Sequence, residues 1–227
     1  MTYTNVIFDF DGTITDSKRD IARSQLWVLN QLGVHSYRES DLYRHIGKTL
    51  EETFADVLPP RMHSRIKEAA ELYAEYYPGR SLQTTTLFPG VRESLQRMRS
   101  RGLHLAVAST KRGPGILRAT NHFQITELFD RLQGSEGLPF KPDPAVINAV
   151  IDGEKWDRAR TIMVGDTGMD ILAGKGAGVA TCGVTYGSLS AAELRAFGPD
   201  FIIDEFPALL SILGLPPLSL ASTHEPR

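Results

Sequence analysis

Five short apolar runs constrain this chain more than any other feature: Val6 to Phe10, Leu103 to Ala108, Thr161 to Val164, Val179 to Val184 and Phe201 to Ile203. Each is rich in β-branched residues or Phe and apolar on both faces, which is the pattern of buried parallel strands. Arg131 to Gln133 is a weaker candidate of the same kind. Helical patterns lie between them: Pro89 to Arg101 stopped by Gly102, Gly113 to His122, Pro144 to Ile151, Met169 to Lys175, Ala191 to Phe197 and Pro207 to Leu213. This alternation predicts right-handed crossovers and an α/β fold with a doubly wound parallel sheet.

One connection breaks the rhythm. A crossover needs a dozen or more residues, yet roughly 90 separate Phe10 from Leu103. Most of that gap reads as helix. Asp16 or Ser17 can cap a helix running to Leu32, with Ile21, Ala22, Leu26, Leu29 and Leu32 on one face and Gly33 as its stop. Further helical patterns run from Glu51 to Val57 and from Arg61 to Tyr77, the latter ended by Pro78-Gly79. The expected organisation is a core made of residues 1–14 and 84–227, with a small helical domain, 15–83, inserted after the first strand. Ser81 to Thr86 reads as the return hinge, and the Pro- and Ser-rich tail from Pro216 to Arg227 is expected to fray.

Composition removes several classes of function. Hydrophobic residues at 41% and charged residues at 23% suit an ordered globular chain. A net charge of −2 and a pI near 6.3 give no electrostatic case for nucleic acid or an acidic membrane. No apolar run approaches the ~20 residues of a membrane span. Met1 leads through polar residues into Val6 with no basic leader. The single cysteine, Cys182, excludes an internal disulfide and suits a reducing compartment, so a cytoplasmic protein is expected. The six histidines show no paired metal-ligand spacing.

The chemistry-bearing residues fall where strands end. Asp9-Phe10-Asp11-Gly12-Thr13 closes the first strand. Carboxylates at i and i+2 point to one side of an extended chain, and burying both without a partner is costly. A cation would relieve them, and Mg²⁺ suits hard oxygen ligands supplied by one or two carboxylates. Gly12 permits a sharp turn that brings amides near an anion, although Asp-Gly is also a common solvated turn. Ser109, Thr110 and Lys111 follow the second strong strand; a hydroxyl and free amides there could hold a phosphate or simply cap a helix. Lys141, fixed by Pro142 and Pro144, could present its ammonium to developing phosphoryl charge. Gly165-Asp166-Thr167-Gly168-Met169-Asp170 ends another strand. There Asp166 could complete a divalent-metal site and Asp170 orient Lys141 or a metal-bound water, or the segment could serve as a helix N-cap. In a parallel sheet Asp9, Ser109 and Asp166 converge on one edge, the edge at which open α/β sheets bind ligands.

With these motifs in order from about Tyr3 to Leu213, the chain resembles the haloacid-dehalogenase-like (HAD) phosphohydrolase superfamily. Asp166 to Gly187 is similar to its phosphoglycolate-phosphatase-like branch. The resemblance implies a Rossmann-like core, and a helical cap in the insertion. It implies an aspartyl-phosphate mechanism in which Asp9 is the nucleophile and Asp11 the general acid and base. Gly12, Ser109, Thr110 and Lys141 would bind phosphate, Lys141 also neutralising charge. Mg²⁺ would be held by Asp9, Asp166 and the Asp11 backbone carbonyl, with Thr13 and Asp170 in support. Position 110 is Thr where many of this branch carry Asn.

Arg44 and Lys48, flanking His45-Ile46-Gly47, lie where such caps face the active site and could recognise a carboxylate or second phosphate. The implied partner is a small phosphorylated metabolite, phosphoglycolate-like, with no nucleic acid or membrane; monomer and homodimer stay equally open. A phosphomutase or pyrophosphatase of the same family, or a non-hydrolytic phospho-accepting domain, are the alternatives. A dehalogenase is disfavoured because Asp11 is present.

Overall fold

A computed structural model describes residues 3–218. Met1, Thr2 and positions 219–227 lie outside it, and with them most of the tail expected to fray. The strands, in chain order, are β1 (Asn5–Phe8), β2 (Thr15–Asp16), β3 (Thr86–Leu87), β4 (His104–Ala108), β5 (Arg131–Gln133), β6 (Thr161–Gly165), β7 (Ala180–Val184) and β8 (Phe201–Ile203). The helices are α1 (Lys18–Gln31), α2 (Leu50–Val57), α3 (Ile66–Tyr76), α4 (Val91–Ser100), α5 (Gly113–His122), α6 (Ala145–Glu154), α7 (Gly168–Gly176), α8 (Ala191–Arg195) and α9 (Leu209–Ile212).

Six strands form one parallel sheet in the order β5-β4-β1-β6-β7-β8. Alternation along β1 explains why both faces are covered. Val6 and Phe8 join Leu105, Val107, Ile162 and Val164 in a cluster with Leu95, Met98 and Leu210 from α4 and α9. Ile7, Ala106 and Met163 face Val146, Ile147 and Val150 of α6 and Ala173 of α7 on the other side. Each fully buried side chain of this kind is worth about 1.5–3 kcal/mol against exposure. The chain winds outward from β1 through β4 to β5, then returns to β6 on the other side. That reversal places the topological switch point at the carboxyl end of β1.

The segment between β1 and β4 is helical, with a hydrophobic cluster of its own: Ala22, Val28 and Leu29 from α1, Phe54 and Val57 from α2, Ala69 and Tyr73 from α3. Trp27 stacks on Tyr76 at 3.9 Å between ring centroids. Arg61 to Tyr77, expected as one helix, is a 3₁₀ turn (Pro60–Arg65) followed by α3; Pro60 opens the turn at a position where its missing N–H costs nothing. A 3₁₀ stretch at Glu39–His45 was not foreseen.

The outgoing and returning connections meet in an antiparallel pair, Thr15 opposite Leu87 and Asp16 opposite Thr86, which strands of two residues each made invisible to periodicity. Within the expected hinge, Thr84 and Thr85 are pinned: their backbone N–H groups and both hydroxyls donate to the Asp20 carboxylate of α1 at 2.7–3.1 Å. Ser17 occupies the N-cap position of α1 but makes no capping bond, because its hydroxyl is directed to Asp11. Among the described residues no helix is long and apolar enough to cross a membrane.

Candidate active site

The first motif takes its shape from where β1 stops. Extended pairing ends at Phe8, although Asp9 N still donates to Val164 O at 2.9 Å. Ile14 and Thr15 then both donate their N–H groups to Phe10 O, and Gly12 turns through φ +89°. The chain is no longer extended between Asp9 and Asp11, and their carboxylates meet different side chains. Asp9 faces the sheet edge, and Asp11 faces the helical segment.

At the sheet edge, carboxylate oxygens of Asp9, Asp166 and Asp170 lie within 4.8 Å of one another, all three residues buried. Lys141 inserts its ammonium among them, 2.8 Å from Asp9 Oδ1 and 2.6 Å from Asp170 Oδ1. Burial pushes the Asp9 carboxyl up to about 7; Lys141 opposes the rise while Asp170 and Asp166 add to it. Asp166 is pushed up to about 6 by burial and then by Asp170, against the hydrogen bonding of Ser188. For Lys141, burial disfavours the charge, but Asp170 and Asp9 outweigh it and hold the ammonium well above its ordinary value.

The 166–170 segment caps α7 and also reaches Lys141. Thr167 is the N-cap of α7, and its hydroxyl and N–H donate to Asp170 Oδ2 at 2.6 and 3.0 Å. Asp170 thus closes a capping box with one oxygen and holds Lys141 with the other. Asp166 accepts from Ser188 N at 2.8 Å and Thr13 Oγ1 at 3.3 Å. A Cβ at Gly12 would sit inside the Asp166 carboxylate, so only glycine admits this close approach. Tyr186 donates its hydroxyl to Thr13 O at 3.0 Å, tying the 186–188 loop to the first motif.

Ser109, at the end of β4, is buried, and its N–H donates to Gln133 O. Thr110 is half-buried, its carbonyl accepting from Ser135 Oγ at 2.8 Å.

The Asp11 carboxylate has partners that sequence reasoning missed. Ser17 Oγ donates to Oδ1 at 2.7 Å, and Lys111 Nζ lies 3.2 and 2.9 Å from Oδ1 and Oδ2. Lys111 stands two residues beyond Ser109. No spacing rule aims its side chain at Asp11, because the two are 100 positions apart.

The segment from Arg44 to Lys48 reaches the core. A Cβ on Gly47, which has φ +92°, would stand 3.1 Å from Thr167 Cγ2, next to Asp166. Lys48 itself is exposed and pairs with Asp56 at 2.6 Å, and Arg44 Nε donates to His45 Nε2 at 3.3 Å.

Three buried carboxylates against one ammonium leave excess negative charge, a donor set that fits a hard divalent cation. The sequence pattern of the haloacid dehalogenase-like hydrolases matches residues 6–184. The chain belongs to that family. Its relatives extend over nearly the whole length. A phosphoglycolate phosphatase of Haemophilus influenzae is 30% identical, over 91% of this chain and 96% of its own. Pyrophosphatase PpaX of Halalkalibacterium halodurans is 28% identical, over 95% and 99%. A 5'-nucleotidase of Pseudomonas aeruginosa is 32% identical, over 94% and 96%. Among solved structures, a haloacid dehalogenase-like hydrolase from Bacteroides fragilis superposes with a TM-score of 0.86 at 30% identity, covering 91% of this chain and 99% of that one. The chain is a hydrolase of the family's phosphatase group.

Proposed function

We propose that this protein is a Mg²⁺-dependent phosphomonoesterase acting on a small phosphorylated metabolite, phosphoglycolate-like, through an aspartyl phosphate on Asp9. The observation that carries this reading is the setting of Asp9 at the switch point, with Lys141 at 2.8 Å and Asp166 and Asp170 beside it. Asp9, Asp166 and the Asp11 backbone carbonyl would hold the ion, with Asp170 and Thr13 in support. When bound, Mg²⁺ supplies positive charge to the carboxylates and to the phosphoryl oxygens.

An Asp9 oxygen forms a bond to phosphorus as the ester P–O bond breaks, and Asp11 gives its proton to the departing oxygen. Water then adds to the same phosphorus while Asp11 takes a proton from it, releasing phosphate and restoring Asp9. Lys141, with the hydroxyl of Ser109 and the amides around Gly12 and Thr110, offsets the charge that develops on the phosphoryl group.

Residues 15–83 act as the cap in this reading, excluding water over the bound ester. The approach of Gly47 to Thr167 supports that role, since it sets the Arg44–Lys48 segment beside the metal-holding loop. Substrate contact by Lys48 requires it to leave Asp56.

A panel of phosphoglycolate, pyrophosphate, nucleoside monophosphates and sugar phosphates, assayed with and without Mg²⁺, tests the proposal. Metal-dependent release of phosphate, greatest for a small carboxylated ester, is expected. Full activity after exhaustive chelation would refute it.

A further inference from the structure

Lys111 has a place in the molecule that the phosphatase chemistry above does not use. Its side chain is only 10% exposed, and its ammonium reaches three oxygens: both of the Asp11 carboxylate and Tyr77 Oη at 2.8 Å. The same ammonium lies 4.8 Å from the Tyr77 ring centroid, within range of the π face. An ammonium has three donors, and three acceptors surround this one. Burial disfavours its charge, but Asp11 and Tyr77 outweigh burial and keep it protonated. The stem of Lys111 is guided by Gly115 on α5, where a Cβ would stand 3.4 Å from Lys111 Cε. Tyr77 follows directly on α3, so the contact spans core and helical insertion. Arg118, which donates to Ser81 Oγ at 3.0 Å, spans the same seam.

We infer that Lys111 is a positioning residue: it holds the Asp11 carboxyl group in place and, through Tyr77, links that placement to the docked position of the end of α3. The inference rests on the phosphatase reading, in which Asp11 is the acid and base. Asp11 is anchored on one side by Ser17, close to the backbone of its own turn, and on the other by Lys111. Without the ammonium, the carboxyl keeps only hydroxyl partners and gains rotamers. A misplacement of about 1 Å at such a group can cost on the order of 10²-fold.

The test compares kcat/KM for an alkyl phosphate, whose leaving oxygen needs a proton, with that for an aryl phosphate with an acidic phenol, which needs little. In Lys111→Met, kcat/KM for the alkyl ester should fall at least about tenfold more than for the aryl ester, against a ceiling of about 10²–10⁴-fold for complete loss of acid–base help. Lys111→Arg should recover part of that difference. Tyr77→Phe, which keeps the ring but removes the oxygen, should shift the ratio in the same direction by less, and it carries the test should Lys111→Met fail to fold. Equal losses on both esters, or no loss on either, would overturn the inference. Turnover of the aryl ester by the unmodified protein is read in the same assay. Its absence would defeat the phosphatase reading itself, whereas its presence with an unchanged ratio would defeat only the role of Lys111.

Discussion

Nζ of Lys141 lies 2.6 Å from Oδ1 of Asp170, and neither side chain exposes more than 3% of its surface. The same ammonium holds Asp9 at 2.8 Å, so one cation neutralises two members of a buried carboxylate trio. Removing one partner of a buried pair costs about 3–5 kcal/mol, because the other is left uncompensated. Lys141→Met should therefore lose about that much stability in urea denaturation carried out with chelator present. A loss below about 1 kcal/mol would mean that the site tolerates its own charge without the lysine.

Protons compete with a cation for these oxygens. Burial and like charge push Asp9 up to about 7 and Asp166 up to about 6. As pH falls from 8 to 5.5 both take up protons, and Mg²⁺ affinity measured by calorimetry should weaken by about tenfold or more. Affinity constant across that interval would argue against these two carboxylates as ligands.

Gly12→Ala strains a left-handed backbone, φ +89°, and drives a methyl group into the Asp166 carboxylate. The backbone term alone is about 1–3 kcal/mol. Displacement of Asp166 should also reduce cation affinity more than the same change at Gly33, which has φ +81° but open space around it. Equal effects at the two glycines would show that the approach to Asp166 does not matter.

Asp20 gives the pH dependence of the inter-segment clasp. Burial alone would raise its carboxyl, but the hydroxyls and amides of Thr84 and Thr85 outweigh burial and hold it below the ordinary Asp value. A depressed folded value contributes stability above the unfolded one, about 3.9, and that contribution is lost as pH falls through the folded value. Asp20→Asn should cost on the order of 1.5–3 kcal/mol at pH 7 in urea denaturation. The gap between the variant and the unmodified protein should narrow below pH ~4. A gap that widens on acidification would reverse the assigned sign.

The main sheet was legible because its strands are buried on both faces. Val6, Ile7 and Phe8 leave no polar side to confuse the pattern, and the helices between strands carry clean apolar stripes. Lys141 could be offered to Asp170 in advance as one of two partners, because Pro142 and Pro144 fix the lysine and Asp170 follows a strand end. The β2–β3 pair was not legible, because two residues carry no period. Nor was Ser17: capping rules point its hydroxyl at α1, whereas the turn at Gly12 brings Asp11 closer. Lys111 was read only as part of the Ser109-Thr110 loop. Its role depends on Asp11 leaving the extended chain and on Tyr77 arriving from a separate helix, and neither is encoded within a local window.

If Asp9 is the nucleophile, the phosphoryl group must pass through it. The direct measurement mixes the protein and Mg²⁺ rapidly with an aryl phosphate whose phenol leaves readily, quenches in acid within the first turnover, and maps the modified peptide by mass spectrometry. A burst of phenol should accompany a phosphoryl adduct on Asp9 that hydroxylamine removes, and Asp9→Asn should give neither. An adduct on another residue, or a burst of normal size from Asp9→Asn, would contradict the assignment.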